Sequence, residues 1–91
     1  MNNTVYECDA LTITQTAENQ YRAINEWTDI EMKVDLIDEY RTSIESVHCK
    51  RRGKDGKFRK ASADMRDHCE RWLLYMLEEY GIIRKRKVIG G

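Results

Sequence analysis

The sequence predicts a mainly α fold: a compact three-helix domain spanning residues 1–91 as one unit. The helices are expected at about 16–27, 29–48 and 63–80, with short β elements allowed at 4–14, 47–60 and 82–89. Three observations lead there. Apolar residues recur at helical spacing through the middle and the C-terminal third. Thr28 and Ser62 are good cap residues ahead of those patterns, and Gly81 is a good stop after the last one.

Residues 4–14 (TVYECDALTIT) have strand-like content, with Leu11 and Ile13 on one side of an extended chain and Thr12 and Thr14 on the other. A short edge strand and an ordered arm both fit. The first helix rests on Ala17, Tyr21 and Ile24 at i, i+4, i+7, with Thr16 as cap and Glu18 in the first turn. The second opens on a capping box, Thr28-Asp29-Ile30-Glu31, with Trp27 and Met32 spaced as a hydrophobic staple. Its apolar stripe is Ile30, Val34, Ile37, Tyr40, Ile44 and Val47; Glu31, Asp35, Asp38, Glu39 and Arg41 lie opposite. The β-branched Ile44 and Val47 leave its last turn open to strand formation.

Residues 50–60 (KRRGKDGKFRK) break the pattern. Asp55-Gly56 favours a turn with positive φ, so this stretch is either a β-hairpin or a mobile basic loop. The third helix has Ser62 as cap, Asp64 in its first turn, and a stripe of Met65, Cys69, Trp72, Leu73, Met76, Leu77 and Tyr80. Gly81 followed by Ile82 fits a Schellman ending. The tail is two apolar pairs around four bases, a candidate short strand.

Residues 73–91, LLYMLEEYGIIRKRKVIGG, resemble the end of a winged-helix DNA-binding domain, where a helix ending Leu-x-x-x-Gly-Ile leads into a basic β wing. The likeness stops there. A helix-turn-helix joins its helices by a turn of a few residues, whereas a longer stretch containing Gly53 and Gly56 precedes the third helix here.

Net charge is zero, but it is unevenly placed. Residues 1–47 hold ten acids and three bases, a balance of −7; residues 48–91 hold thirteen bases and six acids, a balance of +7. Such asymmetry suggests a nucleic-acid face or self-complementary surfaces, so a homo-oligomer is one expectation. The consecutive apolar residues Leu73–Leu77 also leave room for a dimer contact. No stretch has the length and apolarity of a membrane span, and the N-terminal residues lack a basic start and apolar run. With three cysteines, an odd number, this predicts a cytoplasmic protein with free thiols and no membrane partner.

No phosphate loop, dinucleotide fingerprint, HExxH, nucleophile elbow or EF-hand loop occurs, so the expectation is a non-enzymatic protein without a cofactor. His48-Cys49 and His68-Cys69 supply four zinc-type donors. Adjacent residues on a helix point about 100° apart, however, and the Cys-x2-Cys spacing is absent. The expected metal set is none.

The basic clusters are the candidate site. Lys50, Arg51, Arg52, Lys54, Lys57, Arg59 and Lys60, with Phe58 among them, suit a backbone-gripping loop with a stacking aromatic; Arg84, Lys85, Arg86 and Lys87 form a second cluster able to join it at one end of the domain. The expected function is a small regulatory or accessory protein acting on nucleic acid or a nucleic-acid-handling protein. The alternative is an inhibitor or adaptor of the phage or mobile-element kind, covering a basic surface with Glu31, Asp35, Asp38 and Glu39.

Overall fold

From Thr28 to Leu36 apolar and charged residues alternate without a break, and that alternation governs the architecture. Thr28, Ile30, Met32 and Val34 are buried, while Asp29, Glu31, Lys33 and Asp35 point the other way. A period of two is a strand with one buried face. The computed structural model describes residues 2–88, and it is mainly β. Six strands, β1 (Asn3–Cys8), β2 (Leu11–Ala17), β3 (Gln20–Asn25), β4 (Thr28–Leu36), β5 (Thr42–Arg52) and β6 (Phe58–Lys60), precede a single helix, α1 (Ala63–Glu79). The strands form one open antiparallel sheet in sequence order.

The three-helix expectation is therefore wrong for its first two helices. Between 16 and 27 the chain turns at Glu18-Asn19, with Asn19 at φ 59°, into β3, where Tyr21 and Ala23 are buried and Ile24 is exposed on the opposite face. The i, i+4, i+7 match joined residues that a strand separates. Nor do Thr28 and Glu31 form a capping box. The Thr28 hydroxyl accepts from Arg51 Nη1 at 2.6 Å, and the Glu31 carboxylate accepts from Thr16 Oγ1 at 2.8 Å and from Gln20. Trp27 is exposed while Met32 is fully buried, so no staple joins them.

The third expected helix is present. The Ser62 hydroxyl accepts from the Met65 amide. At the other end Gly81 takes φ 68°, its amide donates to Glu78 O at 3.2 Å, and Ile82 N donates to Leu77 O at 2.9 Å, which is a Schellman pair. Cys69, Leu73, Leu74 and Leu77 face the sheet and complete a core with Leu11, Ile13, Tyr21, Ala23, Ile30, Met32, Val34 and Cys49. Leu74 is thus spent inside the domain, and of the consecutive Leu73–Leu77 run only Tyr75 is well exposed. Seventeen helical residues reach about 25 Å, roughly the width of a six-stranded sheet. The helix starts just after β6, and at its far end Tyr80 stacks on Tyr6 of β1 with ring centroids 4.1 Å apart. One face of the sheet is covered from edge to edge, and the other carries no helix.

β6 pairs only with Lys50–Arg52, which leaves the rest of β5's outer edge unpaired. Glu70 of α1 accepts the Ser46 amide there at 3.2 Å, and the extra residue Val47 bulges the strand, two ordinary ways of blunting an edge. Beyond α1, residues 84–88 pair with no strand, so the β wing implied by the winged-helix likeness is absent over the described residues; residue 89 of that expected strand lies outside them. No described helix is long and apolar enough to cross a membrane.

Candidate nucleic-acid interface

Directly opposed residues of antiparallel strands share a face. The register therefore lays out the helix-free face: Thr12 and Thr14 beside Ile24 and Arg22, then Asp29 and Glu31, then Lys50 and His48, then Lys60. Arg52 and its partner Phe58 extend the same row toward the β5–β6 turn.

The centre of this face is a closed polar network. Arg22 grips Asp29 bidentately, Nε at 2.9 Å and Nη2 at 2.7 Å. His48 Nε2 lies 2.8 Å from Asp29 Oδ1, the oxygen that also accepts from Arg22 Nε, and Nδ1 lies 3.9 Å from Glu31. Burial pushes both carboxyls up, but hydrogen bonds from Arg22 and His48 to Asp29, and from Gln20 and Thr16 to Glu31, outweigh it; both end below their ordinary values of 3.8 and 4.5. Glu78 behaves likewise: burial raises it, and bonds from Arg86 bring it down. The folded chain thus holds these protons more weakly than the unfolded chain. The associated stability is complete above about pH 5 and is lost as pH falls through the depressed folded values. Melts followed by circular dichroism will show a constant Tm from pH 5 to 7 and a progressive fall below about pH 4. A Tm independent of pH down to 3 would contradict this network.

The hairpin beyond it is rigidly built. Gly53 N donates to Lys57 O at 2.9 Å, Gly56 N to Gly53 O at 3.0 Å, and Gly56 adopts φ 82°. Asp55 accepts from the Lys57 amide at 3.0 Å and from both terminal nitrogens of Arg59. A Cβ on Gly53 would sit 2.9 Å from Arg59 Nη1, so a side chain there would make the guanidinium shift. Of the seven candidate bases, Arg59 is consumed by Asp55 and Arg51 is turned to the covered face, onto Thr28. Lys50, Arg52, Lys54, Lys57 and Lys60 have no carboxylate within 4.0 Å among the described residues. Moreover, Lys50 and Lys60 are direct cross-strand partners, an arrangement of like charges that disfavours the sheet.

The tail cluster does not join them. Arg86 donates to the buried Glu78 through Nε (2.8 Å), Nη2 (3.1 Å) and its amide (3.0 Å). Lys85 pairs with Glu79 at 2.9 Å and Lys87 with Glu39 at 3.1 Å, while Arg84 pairs with no carboxylate among the described residues. Glu39 belongs to the β4–β5 loop, at the opposite end of β5 from the basic turn. The two clusters are about 30 Å apart along an eleven-residue strand.

The acidic alternative disperses as well. Glu31 is tied up on the sheet face, Asp35 is exposed near the end of β4, Asp38 caps the β4–β5 loop and pairs with Arg41, and Glu39 holds Lys87. Both His-Cys pairs are split, His48-Cys49 by strand alternation on β5 and His68-Cys69 by the turn of α1. His48 faces the open side, Cys49 and Cys69 are buried together, and His68 is exposed. Burial and the neighbouring Cys69 push the Cys49 thiol up to about 12, which keeps it protonated and unreactive at neutral pH. No group of three or more His, Cys, Asp or Glu among the described residues is arranged to hold a metal.

Two features escaped the sequence reading: the Arg22–Asp29–His48 network and the place of Trp27. Asn25 Oδ1 accepts the Trp27 and Thr28 amides at 2.8 and 2.7 Å, and Trp27 O accepts Arg52 N at 2.9 Å. This holds the indole, 51% exposed, at the tip of the β3–β4 turn beside the basic hairpin. Unbroken alternation over 28–36 was the signal that would have placed it in a turn. No protein-family model, curated protein or solved structure matches this chain.

Proposed function

We propose that this chain is a non-enzymatic nucleic-acid-binding accessory protein that engages its ligand with the β5–β6 hairpin and the adjoining end of the helix-free sheet face. The observation that carries the reading is the contrast in pairing. Lys50, Arg52, Lys54, Lys57 and Lys60 lack carboxylate partners, whereas three of the four tail bases are neutralised within the chain. Uncompensated cations on a ribbon are a phosphate-binding surface, and because the chain as a whole is neutral the remainder is net acidic, which confines attraction to that end. The inhibitor reading rests on less: Glu31 and Asp35 share the helix-free face of β4, but Glu31 is bonded to Thr16 and Gln20, and Asp38 and Glu39 sit in the β4–β5 loop paired with Arg41 and Lys87.

Anisotropy of a labelled oligonucleotide, titrated with the protein at several salt concentrations, tests the proposal. Five phosphate contacts correspond to a slope of log K against log salt between about −3 and −5. Absence of binding at low salt would overturn it.

A further inference from the structure

We infer, resting on the nucleic-acid reading above, that the ligand is single-stranded, with unpaired bases stacked on Trp27 and Phe58 on either side of Arg52. The two aromatics are exposed by 51% and 41%, and neither belongs to the buried core. Arg52 links them: its strand partner is Phe58, and its amide donates to Trp27 O. The two rings therefore rise from chain segments on either side of β5, on the order of 10 Å apart.

Nothing in the β3–β4 turn needs an indole. The turn is closed by the Asn25 side chain and by the backbone bond to Arg52, so the ring is left free at the tip. Beside it is an open cleft of about 350 Å³ lined by Glu26, Trp27, Arg52, Gly53, Lys54 and Gly56. Gly56 leaves part of its wall bare, with the Arg52 guanidinium beside it. An aromatic platform next to unpaired cations is the combination that binds single strands: phosphates go to the cations, and any base offers a π face to the ring. In a duplex those faces are already stacked on one another. A two-stranded ribbon can still enter a major groove, so duplex binding is the competing outcome.

The test measures affinity for oligo-dT, oligo-U and a mixed-sequence duplex of equal length, together with tryptophan emission. Trp72 is half-buried against the core, so the Trp72→Phe chain isolates Trp27. The unsubstituted chain with Trp72 as constant background serves equally. Either single strand should bind more tightly than the duplex and quench Trp27 in step with binding. Trp27→Ala and Phe58→Ala should each weaken single-strand binding roughly 5- to 100-fold without altering the thermal melt. Equal or tighter duplex binding would overturn the inference. So would unquenched indole emission at saturation, or full affinity in both aromatic variants. In each of those cases the nucleic-acid reading survives. Failure of all three ligands to bind would overturn that reading as well.

Discussion

Replacing Lys50, Arg52, Lys54, Lys57 and Lys60 together by Gln is expected to lower nucleic-acid affinity at least about a hundredfold at moderate salt. Replacing Arg84, Lys85 and Lys87 together should change it by no more than about threefold. The accompanying stability change makes the contrast informative. Among the described residues the five hairpin positions have no carboxylate within 4.0 Å, and Lys50 lies between Asp29 on one neighbouring strand and Lys60 on the other. Neutralising them removes the Lys50–Lys60 repulsion together with a weak attraction across to Asp29, so the melt should change little. The tail bases cover Glu79 and Glu39, and their loss should leave stability the same or marginally lower, since exposed pairs contribute little. Cations without internal carboxylate partners point to a ligand; cations matched to internal carboxylates point to structure. A tail variant that binds worse than the hairpin variant would reverse the assignment. Anisotropy titrations paired with thermal melts read both quantities.

The largest effect on stability is expected at the centre of β4. Met32 is fully buried between the sheet and α1, and its neighbour Lys33 is exposed on the opposite face. Met32→Ala should cost about 2–5 kcal/mol through lost burial and the cavity left behind, and Lys33→Ala no more than about 0.5 kcal/mol. In a chain of this size the first corresponds to a fall in Tm of roughly 10 °C or more. Chemical denaturation would give the free energies directly. Because a one-residue step reverses the outcome, the pair also tests the strand assignment. Equal costs at the two positions would contradict it.

The C-terminal helix was legible because its signals are local. Ser62 caps with its own hydroxyl, Gly81 takes the left-handed conformation, and the stripe between them is helical in period. The strands were not, because two descriptions of the same residues compete. Thr28 and Glu31 have the spacing of a capping box, but their true partners, Arg51, Thr16 and Gln20, are 23, 15 and 11 residues away and reachable only across the sheet. Ile30, Val34 and Ile37 match a helical stripe, yet Met32 is as buried as Ile30 and Val34 while Ile37 is exposed, which a period of two over 30–34 explains. β-branched Thr28, Ile30, Val34, Ile44 and Val47 reinforced the strand.

The site was legible in part for the same reason. The cluster at 50–60 is contiguous, so composition located it. Which of its bases remain free depends on Asp55 reaching Arg59 and on Arg51 turning to Thr28, and neither contact is written in a charge count. By composition the tail is equivalent to that cluster, but Glu78, Glu79 and Glu39 lie against the tail's bases in the fold. Trp27 had been assigned to a staple, and its exposure follows only once residue 28 begins a strand.

Amide and indole NMR shifts during an oligonucleotide titration read whether the helix-free face at the hairpin end is the binding surface. The expected result is that the largest changes fall on Lys50, Arg52, Lys54, Phe58, Lys60 and the Trp27 indole, with α1 and residues 84–88 unmoved. Largest changes on α1 or on residues 84–88, with the hairpin silent, would contradict it.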